Sequence, residues 1–409
     1  MSSRNQSHTQ NTQTLESVAV KRGKDKPIKH NHPWLFSNSI LNESAKLRSG
    51  DIVRVNDEFG GFLAYGVYNA DSKIVLRFVE WDENVAVDDH WWRKKIRESI
   101  GRRLNDLKNE PTSGIRLVAA ENDFLPGLLV DYFNGYLVVQ FLTSAIERYK
   151  DLVVEELNNT LKPMGIVERS ENVLRRLEGL EPNIEHLSGD NPGETLVFTE
   201  GEVKLQMRPY DSGQVQFYID QKRCRLASAK YFKNKRVLDC FCHSGEFSLH
   251  ALKNEALEVV SVDIDEDALA HYKANLALNG FDVPEENIKQ EDVFKSIRHF
   301  NDMERHFDVI IMNPPKFAPT RAYAEKAQKA YKDLHLNAMK NLRPGGILIA
   351  LSCSGGINSE QLKQVLSWAA LDANRHIQIV EQIYQGNEVP VRLSFPESEY
   401  LKGFVCEVI

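Results

Sequence analysis

From Lys235 to Gly355, apolar runs alternate with amphipathic ones, and no other feature of the chain narrows its fold as much. "KRVLDCF", "EVVSVDID", "FDVIIMN" and "GGILIALSCSG" read as strands. "GEFSLHALKN", "EDALAHYKANLALNG" and "AYAEKAQKAYKDLHLNAMKNL" repeat their apolar residues at helical spacing. Strands alternating with helices build βαβ units, so this part is expected to be α/β, a parallel, doubly wound sheet. Two last segments, "VRLSF" and "YLKGFVCEVI", read as antiparallel strands closing its edge.

The chain has 409 residues, too many for one compact core. Upstream, "GDIVRVND", "GFLAYGVYN" and "KIVLRFVEW" alternate apolar and polar residues with little helix between them, as in a small β-barrel. "HWWRKKIRESIGRRLNDL" is an amphipathic helix, and "GIRLVAAEND" and "GLLVDYFNGYLVVQF" are strands with a hairpin turn at "DYFNGY". "SAIERYKDLVVEELNNTLKP" reads as one helix ending before Pro163. The expected division is a disordered polar tail over 1–16, a small β-barrel over 17–82, an α+β middle domain over 83–190 and the doubly wound domain over 191–409. No stretch is long and apolar enough to span a membrane, and the N-terminus lacks the apolar core of a signal peptide. Five cysteines fit a reduced, cytoplasmic protein better than a disulfide framework. No cysteine or histidine spacing suggests a metal.

The formal net charge of −7 weighs against a polyanionic partner, but local patches decide such binding. "KRGKDKPIKHNH", residues 21–32, is one such patch. Lys21, Arg22, Lys24 and Lys29, with Trp34 just beyond, are candidate RNA contacts, and a merely solvated loop is the other reading.

Ligands of doubly wound sheets sit at the carboxyl ends of the strands. There the first strand runs into "DCFCHSGEFS", with a lone Gly245 at the turn. A pyrophosphate grip needs several glycines, so a smaller, unphosphorylated ligand fits better, with Phe241 and Ser244 beside it. Asp263 ends the second strand and suits ribose hydroxyls, whereas Asp265 is better placed to cap the following helix. Asp292 is positioned to accept from an adenine amine, with Ile264 and Val293 against the ring. One glycine turn, one ribose acid, one adenine acid and no phosphate grip resemble S-adenosylmethionine binding in class I methyltransferases.

"HPWLFSNSI", "AENDFLPGLLVDYF", "QFYIDQKRCRL", "VLDCFCHSGEFSLHAL", "NPPKF", "SCSG" and "YLKGFVCEVI" occur in an order and spacing that resemble one family. It is the PUA-domain large-subunit rRNA 5-methylcytosine methyltransferases of the RlmI type, and the resemblance runs from about residue 18 to Ile409. It implies a PUA barrel, a middle α+β domain and a Rossmann-like methyltransferase domain. It also implies S-adenosylmethionine as methyl donor and a cytosine of 23S rRNA as acceptor, met before or during subunit assembly, with a homodimer as one possible state.

Carbon 5 of cytosine is a poor nucleophile until a thiolate adds to carbon 6. Cys353 in "SCSG", flanked by small residues at a strand end, is the candidate nucleophile; a small buried apolar residue is its other reading. Cys240 reads as packing or cofactor contact, and Cys224 and Cys406 as structural. Asn313 in "NPPKF" stands where the family has aspartate, and Glu246 where it commonly has glycine. An asparagine amide still hydrogen-bonds a base edge. Asn-Pro-Pro also marks enzymes that methylate exocyclic amines, but those usually follow it with an aromatic, and here Lys316 precedes Phe317. Purine-amine methylation, or an RNA-binding scaffold with a degenerate methyltransferase domain, therefore stays open. In the family the segment holding Tyr218, Asp220, Gln221 and Arg225 lies near cofactor and base, so Gln221 is assigned to the cofactor, and Tyr218, Arg225, Lys316 and Phe317 to RNA. His243 reads as a turn residue facing solvent rather than a proton shuttle.

Overall fold

A computed structural model describes residues 15–109, 112–171, 173–211 and 217–409. Most of the segment read as a disordered tail lies outside them. The first sheet has six strands in the order Trp34–Phe36, Ile74–Glu80, Phe62–Tyr68, Ile52–Asn56, Ser17–Val20, Ile40–Glu43. Its two edge strands are consecutive in the chain and joined only by the turn Ser37–Ser39. So short a link draws the edges together and curls the sheet into a barrel, around Val53, Val55, Leu76 and Phe78.

The middle sheet runs Asn183–Gly189, Gly165–Ser170, Tyr136–Phe141, Leu128–Phe133, Gly114–Ala119, with only the Gly165–Ser170 and Tyr136–Phe141 pair parallel. One face packs Ile115, Val130, Val139 and Ile166 against helices Asp89–Asn109 and Lys150–Leu161. The helix expected over 144–162 is two pieces, Ser144–Glu147 and Lys150–Leu161, broken at Arg148–Tyr149.

The third sheet has seven strands: Ile288–Gln290, Glu258–Asp263, Arg236–Cys240, Phe307–Met312, Leu342–Ser352, Lys402–Val408, Ile377–Tyr384. Lys402–Val408 is antiparallel to both neighbours and the remaining pairings are parallel. Helix ends follow the chemistry of their residues: the Asp265 carboxylate accepts from Ala268 N at the start of Glu266–Asn279, and left-handed Gly280 stops it. The chain winds outward from Arg236–Cys240 and then returns to its other side at Phe307–Met312, so the switch in strand order falls between Cys240 and Asn313.

One expected edge strand is not a strand. Residues 391–395 form a loop, and the partner of Lys402–Val408 is Ile377–Tyr384. The loop docks on the barrel and the middle domain: Phe395 meets the Trp34 ring at 4.5 Å, and Arg392 donates to the Asn31 carbonyl and stacks 4.0 Å over Phe124 of the middle domain. Between the second and third sheets, hairpin Leu196–Glu200 and Val203–Met207 shares a core with Phe133, Val138, Leu249 and Tyr272.

Candidate active site

At the switch point the backbone of the first loop alternates sharply. Phe241, His243 and Gly245 all have φ between 52° and 79°. Only glycine takes that conformation without strain, and a β-carbon on Gly245 would lie 1.8 Å from the Tyr272 ring. The contorted loop is held by Asp263, whose carboxylate accepts from the backbone N–H of His243 at 2.8 Å and of Asp265 at 3.0 Å. Asp263 is half-buried, and each oxygen keeps a second lone pair. Ile264, next to it, is 68% exposed, an aliphatic face with nothing over it. A carboxylate beside an exposed apolar residue, without a row of N–H groups, fits a nucleoside with no phosphate. Asp292 caps helix Val293–Asp302 through Lys295 N and remains half-exposed. Val293 is buried in the main core, so it supports this wall from behind rather than meeting a ring with its face. Ser244 is buried, and its carbonyl accepts from Asn275.

Across the switch, Asn313 Nδ2 donates to Gln221 Oε1 at 2.9 Å, which leaves Asn313 Oδ1 as the outward acceptor. Gln221 itself is buried. The segments "NPPKF" and "SCSG" are tied together: Ala318 N donates to Ser354 Oγ at 3.2 Å, and Gly356 N to the Ala318 carbonyl at 2.9 Å. The Tyr331 hydroxyl joins Ser352 and Ser354 from behind, at 2.8 and 3.0 Å. Phe317 packs among Phe241, Phe294 and Tyr331, while Lys316 is exposed with its ammonium 5.9 Å from the Tyr400 ring.

Cys353 is the least buried of the five cysteines. Burial pushes its thiol up, and Lys316 and Lys402 oppose that while Asp220 reinforces it. Burial likewise drives Cys224 and Cys406 to about 12, and Cys240 and Cys242 well above the usual thiol range. Lys402 was given no part by the sequence, yet its Nζ donates to the Ser354 carbonyl at 2.9 Å, one residue beyond the thiol. Burial lowers it to about 8. A lysine at the head of the mainly apolar run "LKGFVC" was the available signal.

Two RNA assignments are corrected. Arg225 is fully buried, donating from Nε and Nη2 to the two Glu200 oxygens at 2.6 Å each, and His250 Nε2 lies 2.9 Å from Glu200 Oε1. It fastens the 196–207 hairpin to helix Lys222–Ser228 and has no face for RNA. Trp34 is half-buried against Phe395 and spends its indole N–H on Glu121 at 2.9 Å, so it belongs to the seam between barrel and body. Lys21, Arg22, Lys24 and Lys29 are exposed, although Lys29 pairs with Asp25 and Arg22 with Glu58. Tyr218 is 37% exposed, its ring 5.1 Å from that of His243. His243 is half-buried by this contact rather than solvent-facing. Among the described residues no group of three or more His, Cys, Asp or Glu is placed to hold a metal, and no helix is long and apolar enough to cross a membrane.

A seven-stranded sheet of this order, with its site at the switch point and a curled six-stranded barrel ahead of it, defines a class I methyltransferase domain behind a PUA-like domain. Family models agree: residues 18–81 match a PUA-like domain and residues 232–391 a methyltransferase domain. The chain is 37% identical over 392 residues to the ribosomal RNA large subunit methyltransferase I of Pseudoalteromonas translucida, covering 96% of this chain and 99% of that one. Against the protein of the same name from Vibrio cholerae it is 36% identical over 395 residues, with the same coverage. The chain belongs to the ribosomal RNA large subunit methyltransferase I family. Among solved structures, a putative SAM-dependent methyltransferase from Streptococcus mutans superposes with a TM-score of 0.81 at 19% identity, over 96% of this chain and 100% of that one. A putative methyltransferase solved with SAH superposes at 0.82 and 20% identity, with the same coverage.

Proposed function

We propose that this protein is an S-adenosylmethionine-dependent methyltransferase of large-subunit rRNA that methylates carbon 5 of a cytosine through a covalent bond to Cys353. The observation that carries this is the lashing of the Cys353 loop to the Asn313 loop at the switch point, which gives one rim a thiol, a base-edge acceptor and a nucleoside wall. Asp263 would hold the cofactor ribose, with Ile264 and the rim of Asp292 at its adenine and the 241–245 loop at its amino-acid end. Bound there, S-adenosylmethionine supplies an electrophilic methyl group.

The chain's own residues do the rest. Cys353 sulfur adds to carbon 6 of the cytosine, and the ring electrons move to make carbon 5 nucleophilic. Asn313 Oδ1 accepts from the exocyclic amine and holds the base edge. After methylation the carbon-5 proton passes to a base, the 5,6 double bond re-forms and the sulfur leaves. Lys316 and Lys402 favour the thiolate that begins and ends the cycle. Lys21, Arg22, Lys24 and Lys29 hold the RNA backbone, and Tyr218, Lys316 and Phe317 border its path to the thiol. The working division is a PUA domain over 17–82, a middle domain over 83–190 and a methyltransferase domain over 191–409.

Cys353→Ala should abolish methylation of 23S rRNA while leaving SAH affinity unchanged. Wild type should form a stable adduct with RNA carrying 5-fluorocytosine at the target, since no proton can leave carbon 5, and the variant should form none. The outward Asn313 Oδ1 favours one other reading, methylation of an exocyclic amine, which needs no thiol. Full activity in Cys353→Ala, with a methylated amine in the nucleoside digest, would establish that reading instead.

A further inference from the structure

The middle sheet has a second face, turned away from its helices, where polar side chains stand among Leu129, Phe133 and Val138. Arg116, Asp131, Gln140 and Arg169 sit on four neighbouring strands and make a row across it. The row floors a cavity of about 540 Å³, within the roughly 300–1,000 Å³ of small-molecule pockets. The opposite wall is the segment with Phe217, Tyr218 and Asp220, completed by Lys316 and Tyr400 from the methyltransferase domain. Lys316 stands two residues before Ala318, whose N–H is tied to Ser354 beside Cys353, so the cavity opens beside the reacting centre. Yet neither Cys353 nor Asn313 lines it, so it is not the seat of the base being methylated.

We propose that this cavity takes the base of one RNA nucleotide next to the methylated one, turned out of its stack and read on its edge by Gln140 and Arg116. The proposal rests on the RNA-methylating reading above. Among the described residues its lining carries three cations, Arg116, Arg169 and Lys316, and three carboxylates, Asp131, Glu171 and Asp220. That balance suits a neutral ring with donors and acceptors better than a phosphate. Arg116 gives Nε and Nη2 to Asp131 at 2.7 and 2.8 Å, and its Nη1 has no partner among the described residues. The Gln140 amide likewise makes no hydrogen bond among them and offers both a donor and an acceptor. Phe217 and Tyr218 supply aromatic surface of the kind on which splayed-out RNA bases stack.

The test is a binding cycle that needs no methyl transfer. RNA fragments spanning the modified position would carry an intact or an abasic nucleotide at each flank, and their affinity for the SAH-loaded protein would be measured. Losing the base that enters the cavity should weaken wild-type binding about tenfold. Gln140→Trp, which fills the cavity, should bind the intact fragment about tenfold more weakly and lose less than twofold further on the abasic one. Gln140→Leu, the milder change, should reduce the preference among bases at that flank. SAH affinity should be unchanged in both variants. The proposal is overturned if neither abasic flank matters to wild type, or if the loss is as large in Gln140→Trp. If the methylated atom proves not to be carbon 5, the fragments and the readout are unaffected, so the two failures are told apart.

Discussion

Replacing Arg225 with methionine separates a residue that holds the fold from one that holds RNA. Its guanidinium is buried with Glu200 and makes two hydrogen bonds of 2.6 Å to that carboxylate. Burial alone would raise Glu200, but the Arg225 charge and its hydrogen bonds overrule it and bring the carboxyl from 4.5 down to about 2. At about 1.4 kcal/mol per unit, that difference corresponds to ~3 kcal/mol. Leaving a buried charge without its partner typically costs about 3–5 kcal/mol, in agreement. For a domain of this size each kcal/mol moves the melting point by about 2–4 °C, so calorimetry should show a drop of roughly 6–20 °C. Glu200→Leu together with Arg225→Met removes both charges and should recover most of the loss. The sign with pH follows from the lowered carboxyl: the stabilisation is complete above about pH 4.5 and lost as pH falls towards 2. RNA affinity at a temperature where the variant is folded should equal that of wild type. An unchanged melting point with weaker RNA binding would refute the assignment and return Arg225 to the RNA surface.

Asp263→Ala should weaken SAH binding by about 1–3 kcal/mol in a protein that melts normally, and calorimetry showing equal affinity would exclude it as the ribose acid. Neutralising Lys21, Arg22, Lys24 and Lys29 together should lower the slope of log affinity against log salt by roughly one unit for each phosphate that no longer meets a cation; an unchanged slope would make the patch a solvated loop. Lys402→Met removes a cation from beside Cys353, so alkylation of that thiol by iodoacetamide, mapped by mass spectrometry, should set in at higher pH than in wild type. An identical pH profile would leave Lys402 as a purely structural tie on Ser354.

Four parallel strands of the last sheet were legible because each is a dense apolar run, whereas Ile288–Gln290, with one apolar residue in three, was not; the helix stop at Gly280 and the cap at Asp265 were legible because both are local effects. The edge strand was not. "IQIVEQIY" and "VRLSF" both alternate apolar and polar residues, and which one pairs with Lys402–Val408 depends on contacts remote in sequence. Val391–Phe395 spends its alternation on the barrel and the middle domain, with Phe395 against Trp34 and Arg392 over Phe124. The same remoteness hid Arg225, whose partner lies 25 positions upstream, and Lys402, which reaches Ser354 across 48. Cys353 and Asn313 stood out because their chemistry is tied to short motifs at strand ends. The polar row of the middle sheet did not, since its four members come from four strands and meet only through register.

The docking of the 391–395 loop has a bearing on how a target is chosen. Phe395, Arg392 and the Glu121 that receives both Trp34 and Arg77 pin the barrel to the body at several points. Each of these contacts would have to break before the barrel could swing away from the body. The span from its basic edge to the Cys353 thiol is a ruler cut to one length. Under the proposed function, a target cytosine would be selected by how the surrounding RNA folds, by whether a phosphate ridge stands one ruler-length away, before any base is read. Two rRNAs of the same sequence but different fold would present different substrates to it.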